Sequence, residues 1–159
     1  MQHGTLVLVT SFAVPVARVY AAVSEPLERA RIGILGDELV TLIDESDFRV
    51  GGRNVYRFGP KGSPDFRAET LFHRIVAPSL IVATEIVHAG EACVSIDLVS
   101  LAFSERAGET DLKLTAQVLS LGPDDVTDVA GARHQAFIDA LGRYLGAPAR
   151  GQRHSSTRR

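Results

Sequence analysis

Apolar and polar positions alternate with a period of two over most of residues 5–121, and switch to a period near 3.6 in two short early stretches and one long late one. Residues 5–12 are β-branched and apolar and predict a first strand. After Pro15, whose missing N–H costs nothing in a first helical turn, Val16, Val19, Tyr20 and Val23 recur at helical spacing. Ser24-Glu25-Pro26 breaks that helix. Residues 27–32 suit another helical turn, and Gly33 and Gly36 mark a loop. A second strand is predicted over 38–49, with the acidic pair Asp44-Glu45 as an interruption. Gly51-Gly52 makes the tight turn that follows, where positive φ costs little. The third strand, 53–58, has Asn54, Tyr56 and Phe58 on one face and Arg53, Val55 and Arg57 on the other. Residues 59–64 form a turn by composition. The fourth strand, 66–76, places Phe66, Ala68, Thr70 and Phe72 inward, with Arg67, Glu69, Leu71 and His73 opposite. In the fifth, 80–87, the inward register is read as Leu80, Val82, Thr84 and Ile86. Strands six and seven are predicted over 92–103 and 110–121.

Gly122-Pro123-Asp124-Asp125 ends the strands and supplies carboxylates for a helix start. The helix is predicted over 125–145, stopping before Gly146 and Pro148, with Val126, Ala130, Phe137, Leu141 and Tyr144 as its apolar stripe. The order strand, short helices, six strands, long helix defines an α+β chain. It is read as a curved antiparallel seven-stranded sheet wrapped around a long C-terminal helix, one face wet and one covered. Phe137, central in the stripe, is expected to be buried against strands three and four. Residues 1–148 form one domain by length. Residues 149–159, rich in arginine with Gly, Ser and Thr, are expected to be a disordered basic tail.

Composition changes this picture little, and charge narrows it. The chain has 45% apolar and 23% charged residues, as an ordinary globular protein does. A net charge of −2 hides an asymmetry: four of the 17 basic residues lie in 150–159, and all 19 acids precede them. The body is therefore acidic, which argues against nucleic acid as a partner. No stretch is apolar enough to insert in a bilayer, and no signal peptide follows Met1. Cys93 is the single cysteine and has no internal disulfide partner, so a reducing, cytoplasmic location is expected. A homodimer is the default on base rates.

Phe12-Ala13-Val14-Pro15-Val16-Ala17-Arg18-Val19-Tyr20, the Gly-Gly hairpin in Phe48-Arg49-Val50-Gly51-Gly52-Arg53, and His73-Arg74-Ile75-Val76-Ala77-Pro78 followed by Leu80-Ile81-Val82 occur in an order and spacing that resemble the START-like (SRPBCC) superfamily. Within it, the chain looks most like bacterial proteins of polyketide-cyclase-like or heat-shock-protein-90 ATPase activator homologue-like type. The resemblance covers roughly residues 5–146 and implies a helix-grip (START/Bet v-like) fold. The family's frequent tryptophans are absent, and Ala116 falls where relatives commonly carry a cavity glutamate.

Candidate chemistry is sparse. His134 sits one turn before Phe137 at the edge of the stripe, where it serves as a ligand hydrogen bonder or a general base; it is the one catalytic candidate. Arg133 flanks the stripe on the other side and either holds an anionic ligand or snorkels to water, the latter being favoured. Glu69 and Glu85 are read as surface carboxylates pairing with Arg67 or Arg57. Neither the histidines nor Cys93 show metal-ligand spacing, and no glycine loop opens a helix, so no metal and no cofactor are expected. Tyr56, Phe58, Thr70, Phe72 and Thr84 from the sheet, with Arg133, His134, Phe137 and Leu141 from the helix, make the expected ligand-binding wall: apolar, with a few hydroxyls. That wall suits a hydrophobic small molecule (a lipid, polyketide or aromatic metabolite), unless the side chains fill the space themselves. A binding module is therefore favoured over an enzyme of cyclase, dehydratase or hydrolase type using Tyr56, His134 or Arg133. A chaperone-activator-like interaction protein is the third reading.

Overall fold

The computed structural model describes residues 1–158 apart from 35, 37, 123–125 and 147–149, with side chains undescribed also at 126–128 and 150–158. The elements run β1 (Gln2–Phe12), α1 (Val16–Ser24), α2 (Pro26–Gly33), β2 (Leu39–Ser46), β3 (Arg53–Pro60), β4 (Phe66–Val76), β5 (Leu80–Ala89), β6 (Ala92–Arg106), β7 (Glu109–Ser120), α3 (Val126–Leu145) and β8 (Arg150–Arg158). The strands form one antiparallel sheet in the order β2-β3-β4-β5-β6-β7-β1-β8. The predicted cap at 123–125 lies outside the described residues.

Local chemistry explains the joints. Val16 N–H, free at the start of α1, donates to Glu105 Oε1 at 2.8 Å, so a β6 carboxylate caps the helix and complements its dipole. Thr110 Oγ1 donates to the Val14 carbonyl at 2.7 Å and fixes the turn before it. Gly51 has φ +80 in the β2–β3 turn, and a Cβ on Gly52 would lie 2.2 Å from the Asp47 carbonyl oxygen, so both glycines are required there. Asp44-Glu45 does interrupt β2: the register with β3 shifts between Ile43 and Glu45.

The structure departs from the sequence pattern in two places. The tail expected to be disordered is β8, paired antiparallel with β1 from Gly4↔Arg158 to Ser11↔Arg150. Its polar composition does not oppose this, because the pairing satisfies the free backbone groups along the outer edge of β1 and needs no apolar side chains. The inward register of β5 is the other one: Ile81, Ala83, Glu85 and Val87 are buried, while Ile86 is exposed. Both registers are largely apolar, so alternation alone did not separate them.

α3 rests on β1 and β7 and on the two short helices. Among its described residues Ala130, His134, Ile138, Ala140, Leu141 and Gly142 are buried. Ile138, and not Phe137, is central to the packed face. Phe137 is only partly buried: it packs against the edge of the large core cluster and lines the cavity, with the Arg29 guanidinium over its ring. The core accordingly falls into a large cluster around Leu6, Phe12, Val19, Leu112, Leu114, Ile138 and Leu141, and a small one of Tyr56, Phe58, Ala68 and Val87. Between helix and sheet, where those clusters separate, lies a cavity.

Candidate functional site

The cavity has a volume of about 150 Å³ and is partly open to solvent. Its apolar wall comes from β2 to β7 (Val40, Phe58, Phe72, Ile81, Ala83, Val99, Leu101, Leu114), from α1 and α2 (Val23, Ile32) and from Phe137 and Ala140 on α3. The loop before β3 closes one end: Phe48 meets Phe72 edge-on at 4.9 Å and Tyr20 at 6.3 Å. Gly33 lets α2 approach β2, since a Cβ there would lie 2.2 Å from the Thr41 carbonyl oxygen. That approach brings Arg29, on the preceding turn of α2, to the cavity wall.

Of the expected wall residues, the structure brings together Tyr56, Phe58, Thr70, Phe72, Arg133, His134 and Phe137. Two are placed elsewhere. Thr84 is on the outer sheet face, its Oγ1 2.7 Å from His73 Nε2, because β5 has the opposite register. Leu141 is fully buried in the large core cluster and does not line the cavity. His73 lies outward, as its alternation with Phe72 predicts.

The wall is not free of charge, contrary to the reading of Glu85 as a surface residue and Arg133 as a snorkelling one. Glu69 does pair on the surface with Arg67 at 2.5 Å. Glu85 is buried and accepts hydrogen bonds from Tyr56, from Arg133 and from Thr70 Oγ1, the last at 3.1 Å. Arg133 turns inward, with its side chain 14% exposed. It also donates to Asp97 Oδ2 at 2.7 Å, and its guanidinium lies 5.3 Å from the Phe58 ring centroid. Glu85 and Asp97 are direct partners across β5 and β6. Two like charges so placed repel, and only a cation reaching between them makes the pair tenable. That was the signal available in the sequence: two acids on one inward face, and an arginine in the helix above.

The electrostatics follow from this packing. Burial opposes ionisation of Glu85, but the Arg133 charge and the donated hydrogen bonds outweigh it and hold the carboxyl down to about 2. Asp97, with no exposed surface, is pushed up to about 6 by burial, which Arg133 only partly offsets; its Oδ1 has no partner among the described residues. Burial, aided by the adjacent Glu85 charge, also pushes the Tyr56 hydroxyl well up. His134, 7% exposed, is pushed down to about 3 by burial and then by Arg133, so the ring is neutral in ordinary buffers. Its Nε2 is buried without a partner among the described residues. Among those residues no cluster of His, Cys, Asp or Glu is arranged to hold a metal ion, and no helix is long and apolar enough to cross a membrane.

A bent antiparallel sheet with a C-terminal helix across it and a cavity between is the helix-grip α+β fold. Residues 13–146 match the family model described as activator of Hsp90 ATPase homolog 1-like protein, and the chain belongs to that family. Among solved structures it is similar to the Mll3558 protein from Rhizobium loti, at 26% identity over 90% of this chain and 97% of that one, with a TM-score of 0.78. It also shares its fold with an HSP90 activator from Plasmodium falciparum (19% identity, 92% and 99% covered, TM-score 0.68) and with CalU16 from Micromonospora echinospora (19%, 89% and 75%, 0.63). No curated protein matches.

Proposed function

We propose that residues 1–148 act as one domain that binds a hydrophobic small molecule in the cavity between the sheet and α3. The observation that carries this reading is the nature of the wall: apolar side chains surround about 150 Å³ of space, and the polar groups on it are largely satisfied by one another. Binding fits better than acid–base catalysis. His134 stays neutral down to about 3, Glu85 stays ionised down to about 2, and Tyr56 is pushed up, so none of these three is poised to exchange a proton near neutrality. Ala83, small and on the cavity floor, gives the test. Ala83→Phe fills the space with a ring. Compounds that raise the melting temperature of the wild type in a thermal-shift screen are expected to leave the variant unchanged. If compounds stabilise both proteins equally, the cavity is not their site.

A second reading, chaperone activation, is favoured by the family match alone. Its test is stimulation of a heat-shock-protein-90 ATPase by the purified protein. Loss of any stimulation in Ala83→Phe would tie that role to the cavity.

A further inference from the structure

Three features of the cavity go beyond its apolar character: its size, one cation, and one unsatisfied imidazole. A cavity of about 150 Å³ is the size that holds a single benzene ring, well short of a long acyl chain or a fused polycycle. The charges on the wall are Glu85, Arg133 and Arg29. Arg133 is saturated by Glu85 and Asp97, and Glu85 is committed to Arg133, Tyr56 and Thr70. Arg29 is different. Its guanidinium lies 4.7 Å from the Phe137 ring centroid, and no carboxylate of the described residues forms an ion pair with it. Burial weakens its hold on the proton, and the nearby Tyr56 and Glu85 only partly restore it. A half-buried cation without a direct counter-ion gains most from an anion brought by a ligand. His134 Nε2, buried and unpartnered, is a second polar point on the same wall.

Resting on the binding reading above, we infer that the ligand is a monocyclic aromatic carboxylic acid, its ring in the cavity, its carboxylate on Arg29, and a second polar substituent meeting His134 Nε2. An aromatic body is favoured over an alicyclic one because Phe48, Phe58, Phe72 and Phe137 all present rings to the space.

Isothermal titration against benzoate, the three hydroxybenzoates, benzyl alcohol and laurate tests this. Benzoate is expected to bind at least about tenfold more tightly than benzyl alcohol, the scale of one charge-assisted hydrogen bond. Arg29→Met is expected to remove that advantage by bringing benzoate down to the affinity of benzyl alcohol, and a cooperative thermal transition checks that the variant is folded. One hydroxybenzoate isomer is expected to exceed benzoate several-fold, and His134→Phe to abolish the excess. Equal affinities for benzoate and benzyl alcohol, unaltered by Arg29→Met, overturn the acid assignment but leave the binding function standing. Binding of laurate without any ring compound overturns the ring assignment. Binding of none of the probes overturns the inference, while other compounds in the thermal-shift screen still decide the binding function separately.

Discussion

The residue with most at stake is Arg133. It is the cation between two carboxylates that face each other across β5 and β6. Removing one partner of a buried ionic group leaves unpaired charge in a poorly hydrated site and costs about 3–5 kcal/mol. Arg133→Met is therefore expected to lose about that much in urea unfolding at pH 7, and to recover part of it in acid, where the two carboxyls take up protons. Asp97 gives a second prediction. Its folded value of about 6 lies above its ordinary 3.8, so the folded state binds its proton more tightly than the unfolded chain does. Its contribution is most favourable below 3.8 and declines as pH rises to about 6. Glu85 has the opposite sign: lowered from 4.5 to about 2, it stabilises above 4.5 and loses that contribution as pH falls toward 2. Unfolding measured at pH 4, 5.5 and 7 is expected to show wild type losing stability relative to Asp97→Asn as pH rises, on the order of 2 kcal/mol over the window. Parallel pH profiles would mean that Asp97 is ionised alike in both states.

At the scale of elements, α3 decides where the cavity is. Because Ile138 and Leu141 seat the helix on β1 and β7, Phe137 is left partly buried at the cavity wall. Ile138→Ala is expected to cost about 3–4 kcal/mol, within the range for a fully buried aliphatic truncation. Phe137→Ala is expected to cost less, about 2 kcal/mol, since one side of the ring already lacks packed neighbours. Equal costs in urea titration would move the helix back onto the middle of the sheet. The other element with a distinct behaviour is β8, which joins the sheet only through β1. Deleting residues 149–159 is expected to leave the core folded, because β1 keeps its pairing with β7, and to speed amide exchange at alternate residues of β1. The newly open edge is also expected to raise self-association, measured by light scattering, as an unpaired strand edge does.

For the whole molecule, the division into two hydrophobic clusters is what leaves a gap in the core. Closing the gap should therefore stabilise the apo protein. Ala83→Phe is expected to hold or raise the melting temperature while abolishing ligand-induced shifts. A ligand at a hundred times its dissociation constant should add about 2.7 kcal/mol to the wild type and nothing to the variant.

The approximate positions and order of the first seven strands, the Gly-Gly turn, the two short helices and the extent of α3 were legible in the chain, because each follows from neighbours a few residues apart: alternation, helical spacing, a proline, a pair of glycines. Seven of the nine expected wall residues followed from the same periodicities, since Tyr56, Phe58, Thr70 and Phe72 alternate and Arg133, His134 and Phe137 share an arc of helix. What periodicity left open, tertiary structure decided. The face of β5 depends on which of two apolar registers meets the core, so Thr84 went out and Glu85 came in. The seating of α3 depends on its packing against β1 and β7, so Leu141 was buried and Phe137 released. Arg29 reached the wall only through the docking of α2 on β2, and β8 formed only because β1 had a free edge. Each of these is a contact between residues far apart in the chain, set by which surfaces fit together and by where buried charge finds its partner, and no local pattern carries that information.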